Sequence, residues 1–235
     1  MKYIEPFKMV IFQISPIRTG TTLIWNILRK IFSQIEVYKA NQLDDYVRKS
    51  LDEDSNIKVV STIRDPRDTL CSYMTIWYEL WDENNIINKK RLDESIDFLR
   101  SYSGGFDDFI ELCNINDNLV LKYELFWDDY DYIFNEFEKF FNINIDNKMR
   151  IKLKNECNVK AHKKIADKFD TFFPIENNID LKTQIHGKHI SDTNGVPNQW
   201  KNIIPEEYQE FVTDKFKDIL TIFNYSKKES GSSVG

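Results

Sequence analysis

Residues 14–28 read ISPIRTGTTLIWNIL. A buried apolar run stops at Ile14, a short turn with one arginine and one glycine follows, and a helical pattern begins near Thr21. The connection SPIRTG therefore lies at a strand's carboxyl end, where open α/β sheets bind ligands. A helix start leaves N–H groups unpaired and carries the positive end of the helix dipole, while Thr21 and Thr22 add hydroxyls and Arg18 a fixed cation. These features together suit an anion. The Walker pattern of nucleoside triphosphate sites needs Lys directly after the last Gly, and here Gly20 is followed by Thr21. Taken alone, the turn reads equally well as a surface arginine beside a threonine-capped helix.

Around this turn the chain alternates strand and helix. MVIFQI at 9–14, IKVVSTI at 57–63 and NLVLKY at 118–123 are nearly continuous apolar runs, the mark of strands buried on both faces. Between them, TTLIWNILRKIF at 21–32 sets Ile24, Ile27, Leu28 and Ile31 on one helical face, and the 66–81 stretch does so with Leu70, Met74, Trp77 and Trp81. The expected class is α/β: a P-loop-like three-layer fold with a central, mainly parallel sheet flanked by helices. Further amphipathic stretches run near 128–141, 147–168 and 205–223, and the span 170–199 is long for an idle loop. A single domain over 1–226 is expected, with KKESGSSVG at 227–235 as a disordered tail.

With 41% hydrophobic residues and a net charge of -6 over 235 residues, the chain has material for one sizeable core and no general basic field. Duplex nucleic acid and anionic membrane surfaces are excluded as main partners. No apolar run approaches the roughly 20 residues of a membrane helix, and no signal-peptide layout is legible, so a soluble cytoplasmic protein is expected. Cys71, Cys113 and Cys157 are odd in number and widely spaced, which argues against a disulfide framework or a metal site.

A second anion site is legible in IRDPRDTLCS at 63–72, again a strand end running into a helix, with Pro66 where a first-turn proline is tolerated. Arg64 and Ser72, about two helical turns apart, can address one phosphate. The competing reading pairs Arg64 with Asp65 or Asp68. Together, PIRTGTT and RDPRDTLCS resemble the 5'-phosphosulfate loop P-K-x-G-T-T and the Arg-x7-Ser 3'-phosphate motif of the cytosolic-type sulfotransferases. KYELFWDD at 122–129 is similar to the family's Y-E-D segment, and NGVPNQWKN at 194–202 to its G-x-x-G-x-W-K-N segment.

The resemblance implies transfer of a sulfonate from 3'-phosphoadenosine 5'-phosphosulfate (PAPS) to a hydroxyl or amine of a small-molecule acceptor, leaving 3'-phosphoadenosine 5'-phosphate (PAP), without metal. It places Thr19, Gly20, Thr21 and Thr22 around the 5'-phosphate and Arg18, in place of the usual Lys, at the sulfonate. Arg64 and Ser72 would hold the 3'-phosphate, Tyr123 would lie near the adenine, and Asn194 and Gly195 would close the nucleotide site. The family's catalytic histidine falls in VYKANQLDD at 37–45, where Asn41 stands at its position. Three readings stay open: another residue is the base, the acceptor needs little deprotonation, or the protein binds the nucleotide without turning it over. Glu36, Asp44 and Asp45 are nearby carboxylates, and His189 in HGKHIS can reach the 3'-phosphate or the acceptor. With Thr193 and Asn194 where the family carries Arg-Lys, Lys188, His189 or Lys201 must supply the charge. Leu23 and Val159 replace aromatics that pack the nucleotide.

Trp77, Trp81, Phe106, Phe172 and Phe173 are candidate acceptor-pocket residues, and Glu79, Asp82, Glu83, Asp107 and Asp108 would favour a cationic acceptor. The dimer motif of many members is incomplete in KNIIPEEYQE at 201–210, and the sequence leaves the oligomeric state open.

Overall fold

The computed structural model describes residues 9–225 apart from 41, 54–55, 82–86, 115–117, 171–177, 188 and 191–194; the proposed tail at 227–235 lies outside the described residues. Four strands, β1 (Val10–Ile14), β2 (Glu36–Ala40), β3 (Ile57–Ile63) and β4 (Asn118–Lys122), form one sheet in the order β2-β1-β3-β4. All three pairings are parallel. The apolar strands behave as their composition demands. Phe12 and Ile14 of β1 and Val59 and Ile63 of β3 enter the core on one face, while Ile11, Val60 and Leu121 enter the core on the other. Parallel strands covered on both sides need apolar residues at successive positions, which is why these runs do not alternate.

Helix α1 (Thr21–Ile31) returns over the sheet with Ile24, Ile27 and Leu28 fully buried, and Arg29 and Lys30 in its last turn complement the dipole. Burial of each such side chain is worth about 1.5–3 kcal/mol. Behind α1 on the same face lie α7 (Tyr130–Phe141) and α8 (Asn147–Cys157), anchored by Phe134, Phe137 and Leu153. The opposite face carries α3 (Pro66–Trp81), α4 (Lys89–Ser101), α5 (Phe106–Leu112), α11 (Glu206–Lys215) and α12 (Lys217–Ile222), around Leu70, Phe106, Phe109 and Phe216. The three-layer α/β expectation holds. The bounds of β1, β3, β4, α1 and α3 fall within two residues of those read from sequence.

The stretch read at 128–141 is α7, whereas β2, α4, α5, the helices Asp45–Glu53, Tyr123–Phe126 and Trp200–Ile203, and a hairpin within 170–199 were not read from sequence. β2 is an edge strand with no fully buried residue, so its sequence EVYKA lacks an apolar run. The helix α2 (Asp45–Glu53) follows it, and α6 (Tyr123–Phe126) is a single turn after β4. The expected helix over 147–168 is two: Asn158 breaks it, and its side chain accepts from Ala161 N at 2.8 Å to cap α9 (Val159–Ala166). Likewise 205–223 divides at Phe216 into α11 and α12. The 170–199 span holds a short antiparallel hairpin, β5 (Ile179–Asp180) with β6 (Ile185–His186), and leads into α10 (Trp200–Ile203).

Candidate functional site

The chain leaves β1 toward β2 on one side and leaves β3 toward β4 on the other, so the sheet changes direction between β1 and β3. A crevice opens at the carboxyl ends of such strands. Here it is a cavity of about 850 Å³, lined by the turn after β1, Arg64 after β3, Tyr123 after β4, Lys39 of β2, and the hairpin residues His186 and His189.

The opening turn takes its shape from two left-handed residues, Arg18 at φ 64° and Gly20 at φ 94°. Glycine accepts that region freely; arginine does not, and the strained conformation must be held by its surroundings. Thr19 does the holding. Its hydroxyl donates to Pro16 O at 2.7 Å and lies 2.8 Å from Thr62 Oγ1, which in turn lies 2.9 Å from Ser15 Oγ, a buried hydroxyl chain beneath the turn. Tyr102 closes the other flank by accepting from Ile17 N at 2.8 Å. Thr19 is fully buried and does not line the cavity; its hydroxyl serves the turn itself. Gly20 caps α1 without offering a side-chain acceptor, which leaves the first-turn N–H groups at the cavity wall. Thr21 and Thr22 line it.

Three cations converge there. The Arg18 guanidinium donates from Nε to Ser72 Oγ at 3.1 Å and from Nη2 to His189 O at 3.3 Å. This joins the two sequence motifs directly through Ser72. Burial first, then the neighbouring Arg64, pull Arg18 down to about 10, so it remains charged at neutral pH. Lys39 donates to Thr22 Oγ1 at 2.9 Å, and burial pulls its ammonium down to about 8. Arg64 lies over the Tyr123 ring at 4.5 Å and donates to Val196 O at 3.4 Å, while its buried Nε has no hydrogen-bond partner among the described residues. The local ion pair suggested for Arg64 does not form. Asp65 instead binds Arg67 through both oxygens, at 3.0 and 2.6 Å, and Asp68 accepts from Asn198 N at 2.5 Å and Trp200 N at 2.9 Å. Asp68 thereby ties the 195–200 loop to the start of α3. Arg67 stacks on Trp200 at 4.1 Å and reinforces that tie.

Gly195, at φ 76°, approaches Tyr123 so closely that a Cβ there would lie 2.2 Å from the phenol oxygen. Burial raises the Tyr123 phenol above its ordinary value, so the group stays neutral and can donate. Leu23 and Val159 also line the cavity. Asn41 and Asn194, together with Lys188, Thr193, Phe172, Phe173, Asp82 and Glu83, lie outside the described residues, as do the side chains of Trp77, Trp81 and Glu79.

The fourth wall is formed by histidines. His186 Nδ1 lies 2.9 Å from Gly187 O, and His189 Nδ1 lies 3.0 Å from His186 Nε2. Burial lowers the pKa of both, His189 well below the ordinary value, so His189, one of the three residues considered for the missing charge, is neutral at pH 7. His162 of α9 lines the same cavity and is pulled by burial to about 4. Lys39, His162 and His186 are the site residues that sequence reasoning missed. The only signal for Lys39 is its place before Asn41 in the segment compared with the histidine motif.

Beyond the turn after β1 the cavity is aromatic. Tyr73, Phe98 and Tyr102 stack in sequence at 5.1 and 5.0 Å, and Phe12 stacks on Tyr38 at 5.3 Å. Phe106 is not part of this wall; it is fully buried in the core. Nor do the two acidic candidates among the described residues face it: Asp107 pairs with Arg100, and Asp108 with Arg48. Glu36 accepts from Tyr38 OH, and Asp44 accepts from Val47 N at the start of α2. Asp44 is the one carboxylate among the described lining residues.

No protein-family model matches the chain, and no curated protein matches it. Solved structures do. Mouse sulfotransferase SULT7A1 complexed with PAP matches with a TM-score of 0.61 at 15% identity, covering 95% of this chain and 90% of its own. Retinol dehydratase with androsterone and inactive cofactor PAP matches with a TM-score of 0.64, and retinol dehydratase with retinol and PAP with 0.60. Each is 15% identical, over 92% of this chain and 82% of that one. The chain has the sulfotransferase fold. Among the described residues no helix is long and apolar enough to cross a membrane.

Proposed function

We propose that this protein is a sulfotransferase that moves a sulfonate from PAPS to a hydroxyl or amine of a small acceptor. The observation that carries the reading is the convergence of Arg18, Lys39, Arg64 and an uncapped helix N-terminus on one cavity of a fold shared with PAP-bound sulfotransferases. A nucleotide bearing phosphates at both 5' and 3' positions fits this donor set. The buried, unpartnered Arg64 Nε offers a hydrogen bond, and Gly195 leaves the room that a side chain would take beside Tyr123.

The donor supplies a sulfonate already activated by its phosphate leaving group. Gly20, Thr21 and Thr22 would hold the 5'-phosphate through main-chain N–H groups and the two threonine hydroxyls. Arg18 and Lys39 flank that position and would stabilise negative charge growing on the leaving oxygen, the electrostatic route by which preorganised cations lower such barriers. Arg64 and Tyr123 would take the 3'-phosphate side. Asn194, beside Gly195, is assigned to the same end. Asn41 is assigned to the acceptor end, where an amide can orient a hydroxyl but cannot remove its proton. The aromatic wall of Tyr73, Phe98 and Tyr102 suits an apolar or aromatic acceptor. A cationic one keeps Asp44 as its counter-charge. The three free thiols suit a reducing compartment, and we assign the protein to the cytoplasm.

Incubation with sulfur-labelled PAPS and a panel of neutral phenols, alcohols, and primary and quaternary amines tests the reading. Label transferred to a phenol or alcohol in the wild type and lost in Arg18→Ala is the expected result. PAP binding without transfer to any acceptor would replace the enzyme with a nucleotide-binding module.

A further inference from the structure

The position where a sulfotransferase histidine is expected holds Asn41, so the acceptor's proton needs another destination. The hairpin wall provides one. The order of its hydrogen bonds fixes the tautomers. Gly187 O can only accept, so His186 Nδ1, 2.9 Å away, carries a proton. A neutral His186 then has a bare Nε2. His189 Nδ1, 3.0 Å from that nitrogen, must be the donor. A neutral His189 with its proton on Nδ1 has a lone pair on Nε2, and Nε2 makes no hydrogen bond among the described residues. The rings meet edge to face, with centroids 4.5 Å apart, so His189 cannot turn without breaking the pair. His189 lines the cavity, and its carbonyl accepts from Arg18.

We propose that His189 is the general base of this enzyme, held in its productive tautomer by the Gly187–His186 relay. The assignment rests on the sulfotransferase reading above. In the step, the acceptor's O–H or N–H proton passes to His189 Nε2. The freed lone pair forms the bond to sulfur, and the bond from sulfur to the bridging oxygen breaks with its electron pair going to the 5'-phosphate of PAP. His186 is a positioning residue: its Nε2 orients His189 and never meets the acceptor.

The charges around the pair add a control. Among the described residues, the groups acting on His189 are Arg18 from the opening turn, Lys39 from β2, His162 from α9 and His186 from β6. None is a carboxylate. Burial first, and with it the neighbouring imidazoles and the charges of Arg18 and Lys39, hold the base's affinity for protons down in the nucleotide-free protein. A bound polyanion offsets Arg18 and Lys39, so His189 becomes a stronger base only once the donor is in place.

Nitrogen NMR of the histidine-labelled full chain tests the tautomer without turnover. At pH 7 the His189 ring should be neutral with its proton on Nδ1, and saturating PAP should raise its titration midpoint. An Nε2–H tautomer, or a midpoint that PAP leaves in place, overturns the proposal even in an active sulfotransferase. In kinetics, His189→Ala should keep PAP binding, lose about 10²-fold or more of kcat together with the acid limb of its pH profile, and recover part of the rate with added imidazole. His186→Phe should lower kcat less, with PAP binding intact. His189→Ala turning over within about threefold of wild type defeats the assignment alone. Wild-type protein that transfers sulfonate to nothing defeats the sulfotransferase reading and this assignment with it.

Discussion

The two long walls of the cavity are built differently. One is carried by the sheet: Arg18, Gly20, Thr21, Thr22 and Arg64 sit at the ends of β1 and β3 or in the first turn of α1, above strands that are buried on both faces. The other is carried by a two-residue hairpin and the residues after it, with His186 and His189 held by each other and by Gly187 O. The sheet wall is cationic, and the proposed nucleotide binding is assigned to it. The hairpin wall is neutral, and the proposed proton transfer is assigned to it. On the proposed reading, substitutions in the two walls should affect binding and proton transfer separately.

The largest effect is expected at Arg64. Arg64→Ala should weaken PAP binding by about 10²-fold or more, roughly 3 kcal/mol, because a buried charge pair with the 3'-phosphate is lost. Calorimetric titration checks it, and an unchanged affinity would move the anion site off the sheet wall.

His162, behind the hairpin wall, should control acid stability. Its pKa is about 6.5 unfolded and about 4 folded, because burial excludes the charged ring. As pH falls below 6.5 the unfolded chain binds the proton first, so stability drops until about pH 4 and then levels, a loss of roughly 3 kcal/mol at most. Denaturant unfolding at pH 7, 5.5 and 4.5 should show this, with a shallower slope in His162→Phe.

A smaller loss, about 2 kcal/mol, is expected from Gly195→Ala, which combines a left-handed backbone with a Cβ placed 2.2 Å from the Tyr123 hydroxyl. Tyr123→Phe in the same chain removes the oxygen and should restore part of the melting temperature. If it restores nothing, backbone strain is the whole effect.

The smallest is a pH effect on the sheet wall. Lys39, with its pKa near 8, loses its charge between pH 7 and 9, and PAP binding should weaken several-fold over that range. Lys39→Met should start weaker and show a flatter dependence.

The contrast between the walls also explains what could be read beforehand. The sheet wall is local in sequence: Arg18, Gly20 and Arg64 each lie within a strand-turn-helix junction whose apolar run and helix start are adjacent, so the pattern shows them. The hairpin wall is not. β5 and β6 have two residues each, too short for any period, and the relay depends on ring orientations that spacing does not encode. Lys39 is hidden for a related reason, in an edge strand whose polar composition conceals it. Thr19 shows the converse, a motif residue whose hydroxyl serves the turn from beneath.

The most direct test is calorimetric titration of the wild-type protein with PAP, 5'-AMP and ATP-Mg in parallel. Binding of PAP at least about 10²-fold tighter than 5'-AMP, with ATP-Mg no better than 5'-AMP, is the predicted result, since Arg64 and Tyr123 contribute only when a 3'-phosphate is present. Equal binding of all three, or a preference for ATP-Mg, would contradict the sulfotransferase reading at its base.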